Sequence, residues 1–108
     1  MLKVYTSQYR YSDKNRLDIT VKSGDKTFAP TWDIVGKVKK GLMSEEEYTK
    51  EYYRLMRNSY KNNRSEWDKL LKQDEVVLVC FCKKGSFCHR YLLADMLIKL
   101  GAEYKGEI

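Results

Sequence analysis

The chain predicts one α/β domain spanning residues 1–108, with a small, mainly parallel sheet in a Rossmann-like three-layer sandwich with helices on both faces. Three observations predict it. Val76-Val77-Leu78-Val79-Cys80-Phe81-Cys82 is an unbroken apolar run of strand length, and such runs belong to strands covered on both faces, typically parallel ones. A helical pattern follows after one turn, with Leu92, Leu93, Met96, Leu97 and Leu100 on its inner face. A short terminal strand then completes strand, crossover helix and strand, a unit that is almost always right-handed. The 108 residues suffice for one core, since a chain of this size buries roughly 60–70% of its unfolded surface.

Taken in order, Leu2 to Thr6 reads as the first strand, with Leu2 and Val4 on one face, and Gln8 to Asn15 as a polar, tyrosine-rich loop. Arg16 to Val21 alternates and carries β-branched residues, which predicts a second strand; Ser23-Gly24-Asp25 is turn chemistry. Thr31, after Pro30, can cap a helix through Ile34, Val35 and Val38, with Gly41 just past its end. Ser44-Glu45-Glu46-Glu47 has the form of a capping box, in which serine and glutamate each satisfy the other's backbone N–H, and Met43 can staple to Tyr48. Tyr48, Tyr52, Leu55, Met56 and Tyr60 mark one face of that helix, Asn62-Asn63-Arg64 a break, and Ser65-Glu66-Trp67-Asp68 a second box. Cys88 or His89 opens the last long helix, Gly101 closes it, and Ala102 to Ile108 returns as a strand.

Twenty-one Lys and Arg against fifteen Asp and Glu give a formal charge of +6, which favours anionic partners, nucleotides and nucleic acid among them. The cations are scattered from Lys37 to Arg90 without forming a tract, so a merely solubilising surface fits as well. No apolar run reaches membrane-spanning length and the N-terminus lacks a signal-peptide pattern. Cys80, Cys82 and Cys88 are an odd number crowded into nine positions, a poor disulfide framework; reduced thiols in a cytoplasmic protein fit better.

Ligands of open α/β sheets sit beyond the carboxyl ends of the strands, where the turn from Cys82 to Arg90 falls. Free backbone N–H groups at a helix start, a permissive Gly85, Ser86 and the cation Arg90 suit a phosphate or other anion. Cys88, at a helix N-terminus beside Arg90 and a His89 cation, is a candidate nucleophile of lowered pKa, or else a small packing residue. His89, the single histidine, can shuttle protons or simply pack its helix. Asp18 stands in an otherwise apolar strand and is placed as a base or as the partner of Arg90, with a satisfied structural aspartate as the alternative. Thr6 and Ser7, with Gln8 and Tyr9, can offer neutral hydrogen bonds to the same ligand. Phe28 to Trp32 could floor a ring, although Trp32 reads better as core. Cys80, Cys82, Cys88 and His89 are four possible ligands, yet no metal is expected: Cys80 and Cys82 in a strand lie roughly 6.5–7 Å apart by the usual rise, wide for one zinc ion, and there is no close-spaced cysteine knuckle. A cysteine-phosphatase loop is disfavoured, since Cys88 occupies the place its arginine would need when counted from Cys82.

Leu78-Val79-Cys80-Phe81-Cys82, the loop, and Cys88-His89-Arg90-Tyr91-Leu92-Leu93-Ala94 resemble the signature of the domain-of-unknown-function 488 family, with Arg16-Leu17-Asp18-Ile19-Thr20 similar to its second strand and Val4-Tyr5-Thr6 to its first. The resemblance marks Cys80, Cys88, His89, Arg90 and Asp18 as site residues, Cys80 bordering the ligand, and implies a small protein of bacterial or phage type. Thr20 stands where the family usually has arginine, and Cys82 where it tends to have an acid.

The expectation is therefore a protein binding a phosphorylated or nucleotide-like molecule at the Cys-His-Arg turn, with catalysis left open and no cofactor called for. Cys88, His89 and Asp18 would react or move protons; Arg90, Ser86, Gly85, Thr6, Ser7 and Cys80 would hold the ligand. The alternatives are a non-catalytic module that sequesters a nucleotide signal or contacts a host protein, and a nucleic-acid-binding protein.

Overall fold

The apolar run from Val76 becomes β3, Glu75–Cys80, in the computed structural model of the chain, which describes residues 1–13, 15–81 and 87–108. β3 pairs in parallel with β1, Lys3–Gln8, and with β2, Arg16–Asp18; β1 pairs in parallel with β4, Glu103–Glu107. The sheet order is β2-β3-β1-β4. With four helices and this all-parallel open sheet among the described residues, the fold is consistent with the three-layer α/β sandwich expected. Val77 and Val79 have no exposed surface, nor have Val76's and Leu78's register partners Val4 and Thr6. Burial on both faces is why β3 carries no alternation.

β2 ends at Asp18 rather than at Val21. The Asp18 carboxylate accepts from the Thr20 N–H at 2.9 Å and the Ser23 hydroxyl at 2.7 Å. The N–H groups of Gly24 and Asp25 then return to the carbonyls of Thr20 and Asp18. The aspartate thus competes with the ladder for backbone donors and curls the chain out of the sheet. A Cβ at Gly24 would lie 2.4 Å from the Thr20 nitrogen and 2.7 Å from the Asp18 carbonyl oxygen, so this turn closes only around glycine.

Helix α1 is Trp32–Lys39, capped by the Thr31 hydroxyl, and Gly41 follows it at φ +74°. Trp32 is 62% exposed, contrary to its reading as core. Ile34, Val35 and Val38 define the inward side of α1, and Trp32 falls off that stripe. Trp67 fills the core instead, fully buried with its ring edge-on to Phe28 at 4.9 Å.

Helix α2, Glu45–Asn62, begins with both hydrogen bonds of the expected Ser44–Glu47 capping box and buries Tyr48, Tyr52 and Met56. Helix α3, Arg64–Leu71, starts directly after Asn63, whose carbonyl accepts from the Glu66 and Trp67 N–H groups. Only Asn63 separates the two helices, so Ser65 already lies inside α3 and cannot cap it. Helix α4, His89–Lys99, follows an extended Cys88 and buries Leu93, Ala94 and Leu97, with Leu92, Met96 and Leu100 half-buried around them. Among the described residues no helix is long and apolar enough to cross a membrane.

A polar cluster around Glu107 ties α4 to β4. The side chain of Arg90 has no exposed surface; its Nη2 donates to Glu107 Oε2 at 2.7 Å and its Nε to Oε1 at 3.2 Å. Tyr91 donates to the same carboxylate at 3.0 Å. A buried guanidinium deprived of its carboxylate keeps its desolvation cost without compensation. Glu107→Gln is therefore expected to lower stability by about 3–5 kcal/mol in urea unfolding, and Arg90→Met combined with Glu107→Leu to recover most of that loss. A single-variant cost under about 1 kcal/mol would show the pair to be as weak as a surface one.

Candidate functional site

Three side chains meet where β3 ends and α4 begins. Cys80 is the last residue of β3, and Cys88 is the N-cap of α4. Their sulfurs are joined as a disulfide, with Cα atoms 7.8 Å apart, where the sequence had suggested reduced thiols. The sequence spacing gave no reason to pair them; they meet because strand end and helix start face each other across the turn. Cys82, Gly85 and Ser86 lie outside the described residues.

His89 supplies the third group. One ring nitrogen, Nε2, sits 2.6 Å from the Ile19 carbonyl oxygen. A carbonyl only accepts, so Nε2 carries the hydrogen and donates it, leaving the lone pair of Nδ1 aimed at Cys88 Sγ, 3.8 Å away. Ile19 is itself held by its N–H donating to the Val79 carbonyl. The imidazole lies against Tyr52, ring centroids 5.5 Å apart, and is 7% exposed. Burial pushes its pKa down from 6.5 to about 4, only partly opposed by the bond to Ile19. At neutral pH His89 is thus an uncharged acceptor rather than the cation the sequence suggested.

The guanidinium acts on the other cysteine. Arg90 Nη1 donates to Cys80 Sγ at 3.0 Å, so the cation lies at Cys80 and not at Cys88. The rest of the guanidinium is turned to Glu107 and Tyr91. Burial alone would lower the pKa of Arg90, but the Glu107 carboxylate outweighs it and holds the charge. Burial would likewise raise Glu107, and bonds from Arg90, Thr6 and Tyr91 bring it below the ordinary range instead. Arg90 was expected to hold an external anion or Asp18; its carboxylate is Glu107, because β4 brings that acid over the start of α4.

Asp18 does not line the cavity. For its carboxyl burial is the largest influence, an upward one, but the hydrogen bonds from Ser23 and Thr20 overcome it and keep the group ionised below the usual range. That makes Asp18 a turn-forming residue and a weak base. Thr6 and Ser7 are buried inside the sheet, where Thr6 Oγ1 bonds the Tyr104 hydroxyl at 2.7 Å and the Ser7 hydroxyl donates to the Ile108 carbonyl at 3.0 Å. Both are committed to β4.

Cys80, Cys88 and His89 border a cavity of about 160 Å³, walled by Val35 and Val38 of α1, Tyr48 of α2, Phe81 and Phe87, with Thr20 and Lys39 as its polar members. Lys39 and Tyr48 escaped the sequence reading, since a helix-end lysine and a tyrosine on a core stripe look structural. Glu107 was missed as well, because its facing depends on a register shift in β4 that the sequence does not announce. Among the described residues the ligand atoms of Cys80, Cys88 and His89 all lie within 4.8 Å of one another, and all three residues are buried. Such a cluster can do thiol chemistry or hold a soft metal ion.

A family model described as DUF488-N3a, the active DUF488-N3 subclade, matches residues 2–101. No curated protein and no solved structure is detectably similar to the chain.

Because His89 is the single histidine, its titration can be read alone. Its ring signals in nuclear magnetic resonance are expected to stay those of the neutral Nε2–H form from pH 8 down to about pH 5, given a folded pKa of about 4. The unfolded chain takes up that proton near pH 6.5 and the folded one does not. Stability is therefore full above about 6.5 and falls as pH drops toward 4, by about 3 kcal/mol. His89→Gln should lack this dependence; an imidazole titrating near 6.5 in the folded protein would contradict its burial.

Proposed function

The chain belongs to the DUF488 family, and from that premise we propose that it is an enzyme acting on a small, ring-bearing anion, nucleotide-like in form, with Cys80, Cys88 and His89 as the reacting cluster. The convergence of these three groups on one cavity at the carboxyl ends of β2 and β3 carries the reading. That place is where open α/β sheets put their ligands. The family's description as the active subclade supports catalysis rather than binding alone.

The substrate class follows from the walls. Val35, Val38, Tyr48, Phe81 and Phe87 offer an apolar slot suited to a flat ring, and Lys39 is the cation at its edge. The formal charge of +6 draws anions toward it. Arg90 takes no direct part in holding the substrate; it donates to Cys80 Sγ and fixes α4 through Glu107. Once the disulfide is reduced, Cys88 faces a neutral imidazole whose Nδ1 can accept its proton.

A panel of nucleoside mono- and diphosphates, screened by thermal unfolding and by chemical-shift mapping, tests the reading. A fitting member should stabilise the protein by about 2.7 kcal/mol at a hundredfold excess over its Kd and shift resonances of Val35, Val38 and Tyr48. Lys39→Glu should weaken it at least tenfold, while Cys88→Ser should abolish turnover and leave binding within a few-fold, on the order of 1 kcal/mol. A panel without any hit, or hits mapping away from the cavity, would reject the proposal.

A further inference from the structure

We propose that Cys80, Cys88 and His89 form a binding site for a thiophilic divalent metal ion, zinc in the first place, with its fourth position open to the cavity. The inference rests on the function proposed above and deepens it: the two thiolates and His89 Nδ1 become ligands of an ion at which the substrate would react, so that in the loaded protein Nδ1 binds the metal instead of taking the Cys88 proton.

Four observations carry it. First, Cys80 Sγ, Cys88 Sγ and the His89 ring lie within 4.8 Å of one another, the compass of a tetrahedral site whose metal–ligand bonds are roughly 2.0–2.3 Å. Second, Cys80 ends β3 and Cys88 caps α4, so reduction of the disulfide leaves two thiols facing each other across one turn, with Cα atoms 7.8 Å apart. The expectation of no metal rested on Cys80 with Cys82; the fold instead presents Cys80 with Cys88. Third, the other nitrogen of His89 donates to the Ile19 carbonyl at 2.6 Å. This second hydrogen bond is the usual way a metal-bound imidazole is oriented and kept in the right tautomer. Fourth, Arg90 Nη1 donates to Cys80 Sγ at 3.0 Å, the donor a coordinated thiolate needs in a dry site.

Charge balances as well. Binding releases one proton from each thiol, so two thiolates and a neutral imidazole meet the double charge of the ion, while Arg90 is already answered by Glu107. Three protein ligands among the described residues, with a fourth position open, is the pattern of catalytic rather than structural zinc, and the cavity that Cys80, Cys88 and His89 line also carries Tyr48, Phe87 and Lys39.

The experiment is a cobalt(II) titration of the reduced, chelator-treated full chain. The expected result is one cobalt per chain, with thiolate-to-metal charge-transfer absorption and the visible bands of tetrahedral cobalt, and zinc displacing both. X-ray absorption on the same wild-type sample should count two sulfurs and one nitrogen, which needs no variant to fold. Cys80→Ser and Cys88→Ser, checked for folding by circular dichroism, should each weaken binding by more than about 100-fold, beyond what losing an outer-shell partner costs. A reduced protein with all thiols free and no such absorption overturns the proposal, as does a spectrum that survives both serine variants. If nucleotides bind while cobalt does not, only the metal is lost. If cobalt binds and no ligand enters the cavity, the enzymatic reading fails and the metal site stands.

Discussion

A guanidinium with no exposed surface must be answered inside the protein, and that constraint organises this fold. Arg90 is the second residue of α4, and Glu107 is the last residue of β4. On its other side the same helix start is held by His89, bonded to the carbonyl of Ile19 just beyond β2. β2 and β4 are the two edges of the sheet. Two adjacent residues therefore anchor the opening of α4 at both edges, with Cys80 of β3 between them. Neither bond is needed to make a helix; together they fix where the helix begins. Whatever happens at Cys88 inherits its position from that pin.

The pin also divides the electrostatics of the two cysteines. Cys80 receives a hydrogen bond from a permanent cation, and Cys88 faces an imidazole that burial keeps neutral. Two like sulfurs are thereby given unequal surroundings: one takes a hydrogen bond from a cation, the other faces a neutral imidazole. The cavity beside them is mainly apolar, with Lys39 as its cation, so charge introduced there is poorly screened and strongly felt. Asp18 shapes this arrangement from a distance. By turning the chain out of β2 it delivers the Ile19 carbonyl to His89, and Gly24 lets the turn close tightly enough to do so.

Much of this was legible in the sequence, where one physical signal spoke without competition. An unbroken apolar run meant a strand buried on both faces, and the Ser44 box meant a helix start; both hold. Trp32 and Trp67 were harder, because a tryptophan's size argues for burial and only the phase of its own helix decides. β2 was read too long since Ile19-Thr20-Val21 has strand composition, while the competing hydrogen bonds of Asp18 are a matter of three dimensions. The partner of Arg90 was the least legible feature. Strict alternation from Tyr104 would send Glu107 to the opposite face of the sheet. The register instead shifts between the partners of Val4 and Tyr5, with Gly106 at φ +116°, and places Glu107 beside Thr6. A bulge of one residue reverses the facing of everything after it, and no pattern in Glu103-Tyr104-Lys105-Gly106-Glu107 announces it.

That bulge bears on why an ion pair sits here at all. Buried pairs are poor sources of stability, since the cost of removing two charges from water cancels most of their attraction, and apolar residues of equal volume often do better. A methionine against a leucine would hold α4 to β4 well enough. It would not present a donor to Cys80 Sγ, and it would not set the angle at which Cys88 and His89 approach one another. The chain spends a bulge, a positive-φ glycine, Tyr91 and Glu107 on keeping one guanidinium charged and still. Structure alone gives little return for that. The return lies at the sulfur on the other side of the guanidinium, and so the ion pair is better understood together with Cys80, Cys88 and His89 than as part of the core.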